Sequence, residues 1–123
     1  MRCCKNQMTL GELITTLKRK DPDCYVTFGF DYARPACVDS YRGYYEDLAI
    51  GYERHETCTV ASLLKMLEDV NGQTLTGWKG GDYTMDSDTV LWMANPGESC
   101  GMAIVDVVET PYQIWLKTEL AEG

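Results

Sequence analysis

The chain has 123 residues, 45% of them hydrophobic and 24% charged, the size and balance of one globular domain with its own core. Eleven Lys plus Arg against nineteen Asp plus Glu leave a net charge of −8, a field that repels long DNA or RNA but leaves room for a local cluster that holds a small anion. No apolar run approaches the roughly 20 residues of a membrane span, and the first ten residues lack the apolar stretch of about 7–15 residues in a secretory signal, so the expectation is a cytoplasmic protein with no membrane partner.

Thr9-Leu10-Gly11-Glu12 fits a capping box, in which the Thr9 hydroxyl and the Glu12 carboxylate satisfy free N–H groups of a first helical turn. Leu10, Leu13, Ile14 and Leu17 follow at helical spacing, and Asp21-Pro22 stops the helix because the residue before proline avoids the helical region. Residues 24–30 alternate and are rich in β-formers, which predicts a strand, while 44–52 is a weaker strand candidate. Thr59 caps a second helix whose stripe is Val60, Leu63, Leu64 and Leu67, and Asn71-Gly72 ends it in the manner of a left-handed cap. Residues 83–85 are a second weak strand candidate, and 89–94, 102–108 and 112–118 read as strands. A tight turn at 109–112 makes the last two an antiparallel hairpin. The pattern predicts one domain over residues 1–123, an α+β fold with two short amphipathic helices packed on a mainly antiparallel sheet.

The six cysteines, Cys3, Cys4, Cys24, Cys37, Cys58 and Cys100, contain no Cys-x-x-Cys pair, and His55 is the one histidine. Without a secretory signal they read as reduced thiols of a cytosolic chain rather than a disulfide framework or a zinc site, and no cofactor is implied.

Two stretches are not demanded by helix or strand formation. The first, Ser40-Tyr41-Arg42-Gly43-Tyr44-Tyr45-Glu46-Asp47-Leu48, gathers three tyrosines around one arginine and one glycine. Tyrosine offers a flat face to a base and a hydroxyl to ribose or phosphate, and arginine grips phosphate with two bonds. A hairpin whose tyrosines plug a sheet edge accounts for the same residues. The second is Thr76-Gly77-Trp78-Lys79-Gly80-Gly81-Asp82-Tyr83-Thr84-Met85. Its glycines permit an anion-binding nest of N–H groups, Lys79 adds charge, and Trp78 and Tyr83 add π-faces. A plain hairpin loop before a strand is the competing account, and neither a phosphate-binding P-loop nor a dinucleotide fingerprint is present.

Arg54 and His55 read as a solvated loop, Arg34 as a surface arginine by default with contact to a ligand as the alternative, and Trp92 and Trp115 as core. The serines lack the G-x-S-x-G elbow, and nothing here points to catalysis. Asp86 and Asp88 read as a solvated turn.

Taken together, the two stretches and the Thr9–Ile14 helix resemble a family of small phage and prophage proteins, the first family of Thoeris anti-defence proteins, over residues 9–94. The resemblance implies a non-enzymatic sponge. Such a protein holds, without cleaving them, glycocyclic ADP-ribose signals made by defence TIR enzymes. In some members it also holds the cyclic oligonucleotides of cGAS-like enzymes. It implies a homo-oligomer, a hexamer in known members, acting in the infected bacterial cell. Carried onto this chain, it makes Tyr83 or Trp78 the stacking ring and Arg42 the phosphate clamp. Lys79, Gly80 and Gly81 support them, and Tyr41, Gly43, Tyr44, Asp82 and Asn95 complete the candidate ligand-binding set. The family's second arginine has no clear match. Direct inhibition of a host protein, or hydrolysis of the same signals with His55 as acid or base, are the alternatives.

Overall fold

The computed structural model describes residues 7–28, 34–41, 44–53, 57–77, 80–95, 98–111 and 113–120, with only the backbone of 44, 45, 95 and 98–100. Helix α1 (Leu10–Leu17) starts as its sequence demands: Glu12 N–H donates to Thr9 Oγ1 at 3.2 Å and Thr9 N–H to Glu12 Oε1 at 2.9 Å. Its stripe of Leu10, Leu13, Ile14 and Leu17 is buried, and it ends at Lys18, ahead of the proline that would have stopped it. Helix α2 (Val60–Val70) is capped by the Thr59 hydroxyl. Past its end Asn71 is extended and Gly72 takes φ +90° in a tight turn whose Gln73 N–H donates to Val70 O at 2.9 Å. The Gly72 N–H goes to Met85 O and not back to the helix, so a turn stands where the sequence suggests a left-handed cap.

The strands are β1 (Tyr25–Phe28), β2 (Arg34–Tyr41), β3 (Tyr44–Glu53), β4 (Thr74–Thr76), β5 (Asp82–Thr84), β6 (Leu91–Asn95), β7 (Glu98–Glu109) and β8 (Gln113–Leu120). Six form one sheet in the order β1-β8-β7-β6-β3-β2, and β4 and β5 form a separate hairpin. The large sheet is mixed. The pairs β1–β8 and β3–β6 are parallel, and the other three pairs are antiparallel. This is the α+β class that the sequence pattern predicts. The tight turn between β7 and β8 is closed by Thr110, whose N–H donates to the Gln113 carbonyl at 2.9 Å.

Chain length bends this sheet. β1 and β2 are its two edges, five strand spacings or roughly 24 Å apart if the sheet were flat. Only residues 29–33 join Phe28 to Arg34, a reach of about 20 Å at full extension. The two edges accordingly approach one another, with α2 packed against both. Val26, Phe28, Leu48, Ile50, Leu91, Met93, Ile104, Ile114 and Leu116 on one face join the helix stripes in a single buried core. The opposite face carries a second, smaller cluster of Tyr41, Ala49, Trp92, Ala103 and Val105. Trp92 is therefore core, as its place in a strand pattern suggests, whereas Trp115 is only half-buried.

Two strands escape the sequence reading. β2 lies where the chain reads as irregular, around Arg34-Pro35, and β4 has three residues. No helix among the described residues is long and apolar enough to cross a membrane.

Candidate functional site

Both unusual stretches map to hairpins. The first closes the β2–β3 hairpin, with Tyr41 paired to Tyr44 across residues 42–43. The second forms the β4–β5 hairpin, in which β4 lies beside β2 and β5 beside β3. The fold thus sets the two stretches on neighbouring hairpins although α2 separates them in the chain. Arg42, Gly43, Trp78 and Lys79 lie outside the described residues, as do Arg54 and His55.

Around the first stretch, register is broken sharply. Ser40 pairs with Leu48, yet the next residue, Tyr41, pairs with Tyr44, so residues 45–47 bulge out of β3 with no partner on β2. Asp47 within this bulge is buried, at 4% exposure, and its Oδ2 accepts the Trp92 indole N–H at 2.9 Å. Burial raises the Asp47 carboxyl above the usual range, the indole hydrogen bond opposes that rise, and the Glu46 charge adds to it.

Tyr41 lies flat on the same indole, with ring centroids 4.4 Å apart and planes 8° from parallel. Its hydroxyl accepts the Gly101 N–H at 2.9 Å, and the residue is 3% exposed. Tyr41 therefore has one face covered by protein and its hydroxyl engaged, which is anchoring rather than an open stacking platform. Asp47 belongs to the quoted stretch but is not among the residues singled out from sequence. The signal that marks it is the period-two alternation that puts Asp47, Ala49 and Gly51 on one face, a carboxylate among small residues.

The glycine hairpin is tightly turned. Gly77 N–H donates to Gly81 O and Gly80 N–H to Gly77 O, both at 2.9 Å, and Gly80 and Gly81 take φ of +99° and +88°. The positive φ values explain the glycines, and the internal bond of Gly80 removes its N–H from any anion nest. Asp82 faces outward, where Thr76 Oγ1 donates to its Oδ1 at 3.1 Å. Tyr83 points the other way, pairs with Leu75, and is half-buried against the main core. Its hydroxyl lies 3.2 Å from the position a Cβ on Gly81 would take.

Asn95 stands apart from the first stretch. It follows Ala94, which pairs with Gly51 near the far end of β3, and Pro35 to Tyr41 spans that distance on β2. Five or six residues separate the two levels, roughly 17–20 Å along the strands. Arg34 opens β2 opposite Glu53, at the same end as Asn95.

A groove of about 550 Å³ runs beside the start of α1, between Thr15, Thr16 and Ser87. It is no anion site: the N–H groups of Leu10, Gly11 and Glu12 are all bonded, and the Glu12 carboxylate closes the cap. Asp86 and Asp88 form a turn in which Asp86 Oδ1 accepts Asp88 N–H, as their composition suggests. No protein family, curated protein or solved structure matches the chain.

Proposed function

We propose that this protein binds and sequesters small cyclic nucleotide signals without cleaving them: glycocyclic ADP-ribose, and also cyclic oligonucleotides. It acts as an anti-defence sponge of the kind its two motifs resemble, working as a homo-oligomer in the cytoplasm of an infected bacterial cell. The observation that carries this reading is the placing of both motifs on adjacent hairpins, β2–β3 and β4–β5. Such a ligand carries at least two negative charges and an aromatic base. Arg42, Lys79, Trp78 and Tyr83 are the residue types its recognition asks for. A dissociation constant near 1 nM needs about −12 kcal/mol. Stacked rings at about 1–3 kcal/mol each and charge-assisted bonds supply interactions of that order before ordering costs.

The test is native mass spectrometry of the purified protein with cyclic ADP-ribose isomers and cyclic di- and trinucleotides, followed by heat release and analysis of the small molecule. A stoichiometric mass shift with the ligand returned intact is expected, together with an oligomer mass. Ligand returned in pieces would make the protein a hydrolase of the same signals. Absence of any shift would end the nucleotide reading and direct attention to a host protein as target.

A further inference from the structure

We infer that Trp92 is a positioning residue for the β2–β3 turn, clamping both strands that flank residues 42–43 to β6. On the β2 side, the Tyr41 ring lies on the indole face at 4.4 Å. On the β3 side, the Asp47 carboxylate takes the indole N–H at 2.9 Å. The Tyr41 hydroxyl adds a third tie, to the Gly101 amide on β7. The ladder holds this turn by the Tyr41–Tyr44 pair alone, because residues 45–47 bulge out between that pair and Ser40–Leu48. A bulge of that size leaves a hairpin end free to shift, and here one side chain on a neighbouring strand restrains both limbs. Burial makes the ties count: Tyr41, Asp47 and Trp92 are 3%, 4% and 2% exposed, so neither stack nor carboxylate is diluted by water.

The inference rests on the proposed ligand reading only for its consequence: a clamp on the strand ends at Tyr41 and Asp47, which flank the proposed ligand residues in the chain, bears on affinity without touching the ligand. Tyr41 then serves by anchoring, and not by stacking on a base. Asp47 is the residue that couples the bulge to the clamp.

Three variants separate the ties. Trp92→Phe keeps a ring under Tyr41 but loses the N–H that Asp47 accepts. Asp47→Leu removes the acceptor, and Asp47→Asn retains one. Hydrogen exchange across residues 41–48, read by mass spectrometry at a temperature where every variant is folded, reports the clamp directly. Binding of the cyclic ADP-ribose isomers of the panel above reports its consequence. In Trp92→Phe and Asp47→Leu, exchange at 41–48 should quicken about tenfold or more, the scale of one lost buried hydrogen bond, with α2 and β8 unchanged. Affinity should fall by a similar factor, while Asp47→Asn keeps both properties. Exchange that quickens evenly over the whole sheet would make Trp92 an ordinary core residue and overturn the clamp. Faster exchange at 41–48 with unchanged affinity would overturn its role in binding. If the unsubstituted protein binds none of the compounds, the ligand reading fails while the exchange result still decides the clamp.

Discussion

The Cys37 thiol occupies the space a side chain on Gly51 would need: Sγ sits 2.7 Å from the position of a Cβ built on that glycine. The two residues face each other across the β2–β3 ladder. Covering of the thiol raises its pKa, with the charges of Asp39 and Glu53 adding to the rise and the Gly51 backbone opposing it. Cys37 is exposed and its thiol can turn aside about χ1, so Gly51→Ala should destabilise the protein by no more than about 1 kcal/mol, below the usual cost of overpacking a closed core. The other neighbours of that Cβ stand at 3.9 Å, so Cys37→Ala in the same chain should recover most of the loss. Urea unfolding of the two single variants and the double variant closes the cycle. Equal losses with and without Cys37 would show that the thiol is not the obstacle.

Gly11 makes a contrasting case. A Cβ there would meet Ser87 Cβ at 2.8 Å and the Ser87 carbonyl oxygen at 3.0 Å, and that same carbonyl accepts the Gly11 N–H. Because the obstacle is partly backbone, Gly11→Ala should cost about 1–2 kcal/mol despite the better helix propensity of alanine. Ser87→Gly should restore only part of it. Full recovery would mean the serine side chain alone sets the spacing between α1 and the turn before β6.

Asp47 makes stability depend on pH. Its folded-state carboxyl binds a proton more readily than in the unfolded chain, so the native state gains relative stability at low pH and loses it as pH rises through the folded pKa. Asp47→Asn keeps an oxygen acceptor for the Trp92 indole and removes the buried charge. It should be at least as stable as the parent at pH 7, by up to about 1 kcal/mol, and should flatten the mildly acidic part of the stability curve. A parent and variant with parallel curves from pH 4 to 7 would show that the carboxyl does not titrate differently in the fold.

How far the sequence reveals this arrangement depends on which residues carry the signal. The capping box at Thr9 and Glu12 and the two leucine stripes are local, and they fix both helix starts and the end of α2 almost to the residue, while α1 ends at Leu17, short of the Asp21-Pro22 stop. The hairpin of β7 and β8 is legible for the same reason: short alternating runs around a proline turn. β2 is hidden because Pro35 and the extra residue between Pro35 and Cys37 break its alternation, and its pairing depends on a partner supplied by β3. The Tyr41–Trp92 stack joins residues 51 positions apart and follows from a β3–β6 crossover that no local pattern encodes. For that reason Tyr41 reads from sequence as a ligand platform and is found with one face against the sheet.

Cys58 offers a probe of the core. Burial pushes its thiol up to about 11 from an ordinary value near 9. The folded state therefore favours the neutral thiol, and the stability this confers is present below the unfolded pKa and lost as pH climbs toward the folded one. At pH 8, iodoacetamide should leave Cys58 unmodified in native protein and alkylate it once denaturant is added, as peptide mass spectrometry would read. Rapid native alkylation would mean that the segment between β3 and α2 opens locally.

Arg42 and Tyr83 distinguish the proposed ligand site from the scaffold beneath it. Arg42→Ala should lower affinity for the bound cyclic nucleotide by roughly 10–100-fold, the range of a lost charge-assisted bond, with little change in melting temperature. Tyr83 is half-buried against the main core and paired with Leu75, so Tyr83→Ala costs packing as well as any stacking. Tyr83→Phe is the sharper variant: it keeps the ring on the core and removes only the hydroxyl beside Gly81. If that hydroxyl reaches ribose or phosphate, affinity falls by about 1 kcal/mol while stability holds. If Tyr83→Phe binds as the parent does and Tyr83→Ala loses only stability, the ring belongs to the core and stacking must come from elsewhere in the hairpin. Calorimetric binding beside thermal melts of the three variants decides between these outcomes.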